Sequence, residues 1–171
     1  MLGYHNNAEE TEKVISYDEN GKRWINIGDY LEELVTGEYK YVGRQKRNFV
    51  SGIENIYPEE LENLLLSLPE VREIIVTAIP DEMVQYIPRY HISLYDNNID
   101  FKKFEDKIRL LVSSKLSESW LPGTIQYYSE PLKRMSNSKI DISYYQDQDR
   151  IAIENKEINN EEAKKLRLRN I

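Results

Sequence analysis

Two charged residues, each preceded by glycine, stand where they could do chemistry in this sequence: Asp29 and Arg44. A carboxylate can accept two hydrogen bonds from a diol, and bonds to an ionised acceptor are the stronger ones. Thr36-Gly37 lies between two β-rich runs and provides the turn that a hairpin requires. Taken alone, Asp29 is better explained as a turn residue, because Gly-Asp is common in turns.

The residues from 43 to 62, GRQKRNFVSGIENIYPEELE, follow this hairpin and contain a Gly-Arg pair and a charged connector. A short strand is predicted around Phe49 and Val50, followed by a loop at Gly52–Tyr57. Pro58 then begins a helix, since its missing N–H would be unpaired at a first helical position anyway. Three glutamates in the next four positions favour the positive N-terminal end of that helix.

The downstream pattern predicts a small α+β domain. Leucines at helical spacing follow Pro58, and a second apolar helical stripe runs from about residue 101 to 116. Three strands are predicted at Val71–Ile79, Pro88–Tyr95 and Thr124–Tyr128. We therefore expect an N-terminal β-hairpin segment followed by a three-stranded sheet, with two helices packed on one face.

Composition excludes several classes of function. The 171 residues carry a formal net charge of −7 without a basic block, which argues against a nucleic-acid or anionic-membrane surface. There is no cysteine, so disulfides, thiolate metal sites and cysteine nucleophiles are excluded. No apolar run reaches the ~18 residues of a spanning helix, and no signal-peptide pattern opens the chain. The predicted compartment is the cytoplasm, with no membrane partner.

His91 is one of only two histidines. Its parity with Arg89 and Ser93 predicts the polar face of a strand, and no residue nearby has metal-ligand spacing. We therefore expect neither a metal site nor a catalytic role for His91.

Several short motifs, in order, resemble those of a known family. Trp24 and Gly28-Asp29 resemble its W-x-x-TGD motif, and LKRMSNSKID at 132–141 resembles its LP-x-T-x-x-GKI segment. The stretch from Gly43 resembles GR-x-K-D-x-I followed by EN-x-YP-x-E-[IVL]-E. These motifs belong to the C-terminal part of the adenylate-forming enzymes, which include acyl- and aryl-CoA synthetases, luciferases and peptide-synthetase adenylation domains. ENIYPEELE is more similar to the acyl-CoA synthetase branch.

The resemblance implies a role for each matched position. Asp29 and Arg44 would hold the ribose of ATP, and Arg47 stands where the family has its hinge residue. Lys139 would be the catalytic lysine that neutralises charge as a carboxylate attacks the α-phosphorus. The loop Gly52, Ile53 and Glu54 would lie on the face used for thioester formation. ATP (giving AMP), Mg²⁺ and coenzyme A are implied as cofactors, none of them bound by this chain alone.

The chain also departs from the family's pattern. Ile27 replaces the threonine before Gly28-Asp29, Ile53 replaces a usual glycine, and Ser138 replaces the glycine before Lys139. The family's phosphate loop and acyl pocket belong to a large N-terminal domain that these residues do not contain. We therefore expect residues 1–43 to be the end of that domain, 44–146 the C-terminal lid domain, and 147–171 a charged tail, with Glu161–Arg169 as an alternative short helix.

Two functions remain open at this point. The first is a fragment or subunit of an AMP-forming ligase that activates a carboxylic acid with ATP and passes it to a thiol such as coenzyme A. Such a chain would need a separate large N-terminal domain as its partner. The second is a non-catalytic docking module derived from the lid domain. The residues present name neither the acid nor the thiol acceptor, which could be coenzyme A or a carrier protein.

Overall fold

The computed structural model describes residues 1–155 and 157–158 and divides the chain after Lys46 into two units. The boundary predicted after Gly43 lies just before this division. The first unit consists of α1 (Ala8–Val14), β1 (Ile15–Tyr17), β2 (Arg23–Ile25), β3 (Asp29–Glu33) and β4 (Tyr39–Arg44).

Two antiparallel hairpins make up most of the first unit. β1 pairs with β2, and β3 pairs with β4. The second hairpin turns where the sequence predicted, with Gly37 N–H donating to the carbonyl of Leu34 at 2.8 Å. None of the large apolar side chains of this unit belongs to the buried core, and Ile27, Leu31 and Val35 are among the most exposed.

The second unit is an α+β domain, as predicted. Its elements are β5 (Phe49–Ser51), β6 (Glu54–Ile56), α2 (Pro58–Leu65), β7 (Val71–Asp81), β8 (Gln85–Leu94), α3 (Phe101–Lys115), a 3₁₀ helix (Glu118–Trp120), β9 (Thr124–Tyr128) and α4 (Ile142–Glu154). The sheet has five strands rather than the three predicted. Its order is β6-β5-β8-β7, and β9 runs parallel to β8.

One additional strand, β5, is the short strand predicted around Phe49 and Val50, and the other, β6, comes from a stretch that we predicted as a loop, Gly52–Tyr57. Residues 54–56 instead pair with β5 in a hairpin, with Ser51 opposite Glu54. A two-residue turn closes the hairpin because Gly52 adopts a φ of 65°, a conformation that glycine takes without steric penalty. The loop prediction for residues 54–56 was wrong because a three-residue strand is too short to show a recognisable alternation of apolar and polar residues.

One face of the sheet is covered by α2 and α3, as the two leucine- and phenylalanine-rich stripes predicted. Alternate residues of β7 and β8 point to this face. The fully buried side chains of this core include Leu61, Leu65, Tyr90, Ile92, Leu94, Ile108 and Val112.

The opposite face of the sheet is covered by α4, which the sequence reading did not predict. Ile75 of β7 packs there with Leu132 and with Tyr145 of α4. Residues 147–154, predicted as part of a charged tail, are therefore helical, and Asp149 among them is only 3% exposed. The prediction failed because the buried residues of this helix are polar or tyrosine. The alternative helix Glu161–Arg169 lies outside the described residues.

Among residues 1–155 and 157–158, no helix is long and apolar enough to cross a bilayer.

Candidate functional site

Asp29 and Arg44 are directly opposite each other across the β3–β4 hairpin. Arg44 Nε lies 3.3 Å from Asp29 Oδ1, and the Asp29 side chain is 21% exposed whereas that of Arg44 is 61% exposed. The Oδ1 atom is buried, and the Arg44 guanidinium is its ionic partner. The ion pair therefore fixes the direction of the carboxylate next to a cation.

A turn before β3 sets the position of Asp29. The Asn26 side chain accepts a hydrogen bond from Gly28 N–H at 2.8 Å, and Gly28 has a φ of 77°. An aspartate or asparagine that bonds to backbone two residues on is a common turn device. Gln45 N–H closes the hairpin base by donating to the Gly28 carbonyl at 2.8 Å. Asn26 was missed in the sequence reading, although its spacing to Gly28 was a usable signal.

Arg47, at the start of the second unit, is bound by two glutamates of α2. Its Nη1 and Nη2 reach the two oxygens of Glu62 at 3.0 and 2.5 Å, and Nη1 lies 3.1 Å from Glu59 Oε1. Burial works to lower the pKa of Arg47, but the hydrogen bonds and charges of Glu62 and Glu59 together outweigh it and raise the pKa above its ordinary value. Glu62 also accepts from Val76 N–H at 2.8 Å, so it joins the connector, α2 and β7.

The turn at Gly52, Ile53 and Glu54 is hydrogen-bonded to the domain through its first and last residues, and its middle residue is exposed to solvent. Gly52 N–H donates to the Val84 carbonyl at 2.8 Å, and Glu54 accepts a hydrogen bond from the Ser117 hydroxyl. Ile53 is fully exposed, with a relative exposure of 101%. Its φ is not positive, so the isoleucine at this position introduces no backbone strain.

Lys139 lies in an exposed loop just before α4. Its backbone N–H donates to Asn137 Oδ1 at 3.1 Å, and its carbonyl accepts from Met135 N–H at 2.8 Å. Its ammonium makes no ion pair within the part of the chain that the structure describes. The preceding residue, Ser138, has a φ of 65°, so this position takes the conformation that a glycine would adopt freely.

The base of this loop is tied to β7 and α4. Leu132 N–H donates to Glu73 Oε2 at 2.6 Å, and Arg134 forms an ion pair with the same glutamate. Asp141 N–H donates to the Lys133 carbonyl at 2.8 Å, which closes the loop. The lysine therefore extends from a closed loop whose two ends are fixed.

The Lys139 loop and the Gly52 turn lie at opposite ends of the β7–β8 hairpin. Glu73, which holds the loop, is near the start of β7, and Val84, which holds the turn, follows its end. At about 3.3 Å per residue, the strand from Glu73 to Asp81 separates the two ends by roughly 25 Å. The domain thus presents two separate surfaces.

Comparison with known proteins then shows what the chain is similar to. No protein-family model matches it. A mitochondrial medium-chain acyl-CoA ligase of Bos taurus is 38% identical over 82 residues, 48% of this chain and 13% of the ligase. A probable acyl-activating enzyme of Arabidopsis thaliana is 30% identical over 140 residues, 82% of this chain and 24% of that enzyme.

Among solved structures, the anthranilate CoA ligase AuaEII in complex with anthranoyl-AMP has the same fold. It matches 89% of this chain and 28% of its own chain, with a TM-score of 0.75 and 23% identity. This chain corresponds to the C-terminal portion of the AMP-forming acyl-CoA synthetase family. It spans about a quarter or less of the length of the two curated relatives described above.

Within this synthetase-like domain, the structure also reveals a buried polar cluster that sequence reasoning missed. We call it the Asp149 node; it consists of Thr77, Arg89, His91 and Asp149. The polar side of β8, where His91 was placed, is not solvent-exposed: Arg89 is 9% and His91 1% exposed. No sequence signal identified the node, because alternation of polar and apolar residues usually marks a strand with one face in water.

The Asp149 carboxylate is the centre of this node. Its Oδ2 accepts from the Thr77 hydroxyl at 2.5 Å and lies 3.1 Å from His91 Nε2, and its Oδ1 lies 3.0 Å from Arg89 Nε. The other ring nitrogen of His91 lies 2.9 Å from the Tyr128 hydroxyl. Both nitrogens of His91 are thus engaged within the fold.

Proposed function

We propose that this chain is the C-terminal part of an AMP-forming ligase that joins a carboxylic acid to a thiol such as coenzyme A, through an acyl-adenylate. A large domain, joined to this chain or a separate subunit, would supply the phosphate loop and the acyl pocket. The observation that carries the proposal is the Asp29–Arg44 pair, which places a carboxylate and a guanidinium directly opposite each other on one hairpin. The ligases to which the chain is similar support it. The cytoplasm remains the predicted compartment of this chain.

The carboxylate of Asp29 suits the ribose of ATP. A carboxylate can accept from both hydroxyls of a diol, and such charge-assisted bonds are stronger than neutral ones. Arg44 orients the carboxylate and adds a cation at the same place on the hairpin. These two residues would bind and orient the nucleotide without taking part in bond making.

Lys139 would act in the first half-reaction. A carboxylate oxygen of the acid attacks the α-phosphorus of ATP, the bond to pyrophosphate breaks, and negative charge builds on the phosphoryl oxygens. A free, exposed ammonium on a loop can neutralise that charge. Mg²⁺, when bound, would neutralise charge on the phosphates, and coenzyme A would supply the thiol for the second half-reaction.

The two surfaces of the lid domain suit a two-step reaction at one site. The Lys139 loop and the Gly52–Glu54 turn lie at opposite ends of the β7–β8 hairpin. A domain that swings about the connector near Arg47 could present first one end and then the other. Such a movement would gate adenylation and thioester formation in turn.

The first unit carries a surface for the large domain. Ile27 is 75%, Leu31 59% and Val35 109% exposed on its hairpins. Two-stranded hairpins without a core are marginally stable in water, so a partner surface would stabilise these apolar side chains. We assign that surface to the large ligase domain because the residues beside it, Asp29 and Arg44, would share one nucleotide with it.

A docking module without catalysis is the second candidate. The fully exposed Ile53 at the thioester-face turn favours it, because an apolar side chain there suits contact with a protein. On this account Lys139 would have no effect on any acid-dependent step.

A chimaera tests the proposal. This chain would replace the matching C-terminal portion of the bovine medium-chain acyl-CoA ligase, and pyrophosphate release would be measured with ATP, Mg²⁺ and octanoate. We expect acid-dependent release above that of the remaining large portion alone, and its loss in Lys139→Ala. Equal release with and without this chain, or with and without Lys139, would contradict the ligase role and leave the docking module.

A further inference from the structure

We propose that the Asp149 node, acting with Tyr145 through α4, positions the loop that carries Lys139. This inference rests on the proposed function only for its catalytic consequence. Asp149 and Tyr145 are positioning residues on this account, since neither reaches the reacting atoms.

The node fixes α4 on the sheet. Asp149 is 3% exposed, and three groups from β7 and β8 surround its carboxylate. Removing one partner from a buried, hydrogen-bonded charge leaves the others without compensation, so such a node strongly favours one placement of the helix. α4 therefore has one orientation about its own axis and one position along β7 and β8.

Tyr145 links the placement of α4 to the loop that carries Lys139. It precedes Asp149 by four residues, so both side chains lie on the same face of α4. Its ring packs 5.0 Å from that of His91, and its hydroxyl accepts a hydrogen bond from Lys133 N–H at 2.8 Å. One side chain thus contacts both the node and the first residues of the loop.

The second end of the loop is joined to α4, whereas Arg134 holds the loop to β7. Asp141 is the N-cap of α4, accepting from Tyr144 N–H at 3.1 Å, and its own N–H bonds to Lys133. Lys139 is two residues before this cap, so it is close in sequence to the helix that carries Asp149 and Tyr145. A shift or rotation of α4 would move Asp141 and strain its bond to Lys133, and it would displace the segment that carries Lys139.

Amide hydrogen exchange of the full chain tests the coupling. The two test variants are Asp149→Asn, which removes the charge at constant size, and Tyr145→Phe, which removes one hydroxyl at constant packing. Each has a matched control on the same helix. Asp147→Asn removes an exposed carboxylate that pairs only with Arg150, and Tyr144→Phe removes a hydroxyl without a partner among the described residues.

Two amides report on the loop and two on the sheet. Met135 N–H and Asp141 N–H bond within the loop, whereas Ile74 and Ile92 lie in the β7–β8 ladder. We expect both test variants to accelerate exchange at the loop amides by about 10- to 100-fold, the size of losing one strong buried hydrogen bond. The sheet amides should keep their rates, and the controls should match the wild type.

Two results of this measurement would overturn the inference. Unchanged loop exchange in both test variants would show that α4 does not order the loop. Acceleration of the sheet amides to the same degree would show that the node stabilises the whole domain and does not position one loop. Tyr145→Phe keeps the test valid where Asp149→Asn fails to fold.

The chimaera supplies the catalytic measurement. We expect Tyr145→Phe to lower kcat for adenylation by about tenfold with little change in KM for ATP, because misplacing a catalytic group by 1 Å can cost more than this. An unchanged kcat, with Lys139→Ala inactive, would overturn the positioning role and leave the proposed function intact. Full activity of Lys139→Ala would instead overturn the proposed function, and the exchange rates would still decide whether the node orders the loop.

Discussion

Arg47 and Glu62 form a bidentate ion pair. Nη1 of the arginine lies 3.0 Å from Oε2 of the glutamate, and Nη2 lies 2.5 Å from Oε1. Both side chains are largely buried, at 17% and 12% exposure. The pair attaches the first residue of the second unit to α2 and, through Glu62, to β7. Under the proposed function, rotation of the second unit would therefore take place before Arg47, at the exposed residues Gln45 and Lys46.

Arg47→Ala should destabilise the second unit by about 3 kcal/mol, because it leaves Glu62 buried without its cation. Arg47→Lys should recover only part of the loss, since an ammonium cannot make both bonds at once. The free energy of unfolding in urea measures both variants. Lys46→Ala, at the exposed neighbour, is the control. A loss for Arg47→Ala no larger than for the control would contradict the structural role of the pair.

Asp29→Asn should weaken nucleotide binding in the chimaera. We expect the KM for ATP to rise by about tenfold, the value of one hydrogen bond to a charged group, with kcat changed little. Glu32→Gln, on the same strand and exposed, is the matched control and should keep the wild-type KM. An unchanged KM in Asp29→Asn would indicate a turn residue with no contact to the ribose.

Much of the fold could be predicted from local patterns. The helices at Pro58 and Phe101, and the strands from Val71, Gln85 and Thr124, have periodic apolar residues that mark their buried faces. The hairpin that pairs Asp29 with Arg44 could be predicted because its turn chemistry is local. These elements suffice for the α+β class, whereas the short motifs carried the resemblance to the family.

The other face of the sheet could not be predicted because tertiary contacts determine it. Arg89 and His91 alternate with apolar residues as on a solvated strand, yet both are buried by a helix some 50 residues later in the sequence. Arg47 was predicted as a hinge residue only by its position. Its partner Glu62 could not be identified, because three glutamates of α2 were equally placed in the sequence.

Ser138→Gly should leave stability unchanged or raise it by up to about 1 kcal/mol. Serine at a φ of 65° carries a steric cost that glycine does not. The greater freedom of glycine in the unfolded chain offsets part of that gain. Ser136→Gly, two residues earlier and without a positive φ, should destabilise the chain and is the control. Equal losses for the two variants in urea unfolding would contradict the assigned conformation of Ser138.

Stability at high pH should depend on Tyr128. Burial, with the charges of Tyr145 and Asp149 adding to it, raises the pKa of Tyr128 from its ordinary value of 10.0 to about 12. Between these values the unfolded chain releases the proton and the folded chain keeps it, so stability falls as pH rises from about 10 to about 12. Tyr128→Phe should reduce this fall in unfolding free energy. A slope identical to that of the wild type would contradict the prediction.

The central claim, that Lys139 acts in adenylation, is tested most directly by measuring the two half-reactions of the chimaera separately. Adenylation is followed as pyrophosphate release from ATP and octanoate, and thioester formation starts from prepared octanoyl-AMP and coenzyme A. We predict that Lys139→Ala slows adenylation by about 100-fold or more, as for loss of one charge-stabilising group, and leaves thioester formation within about twofold. Lys133→Ala, in the same loop, should affect neither step. Unchanged adenylation in Lys139→Ala, or an equal loss in both half-reactions, would contradict the account.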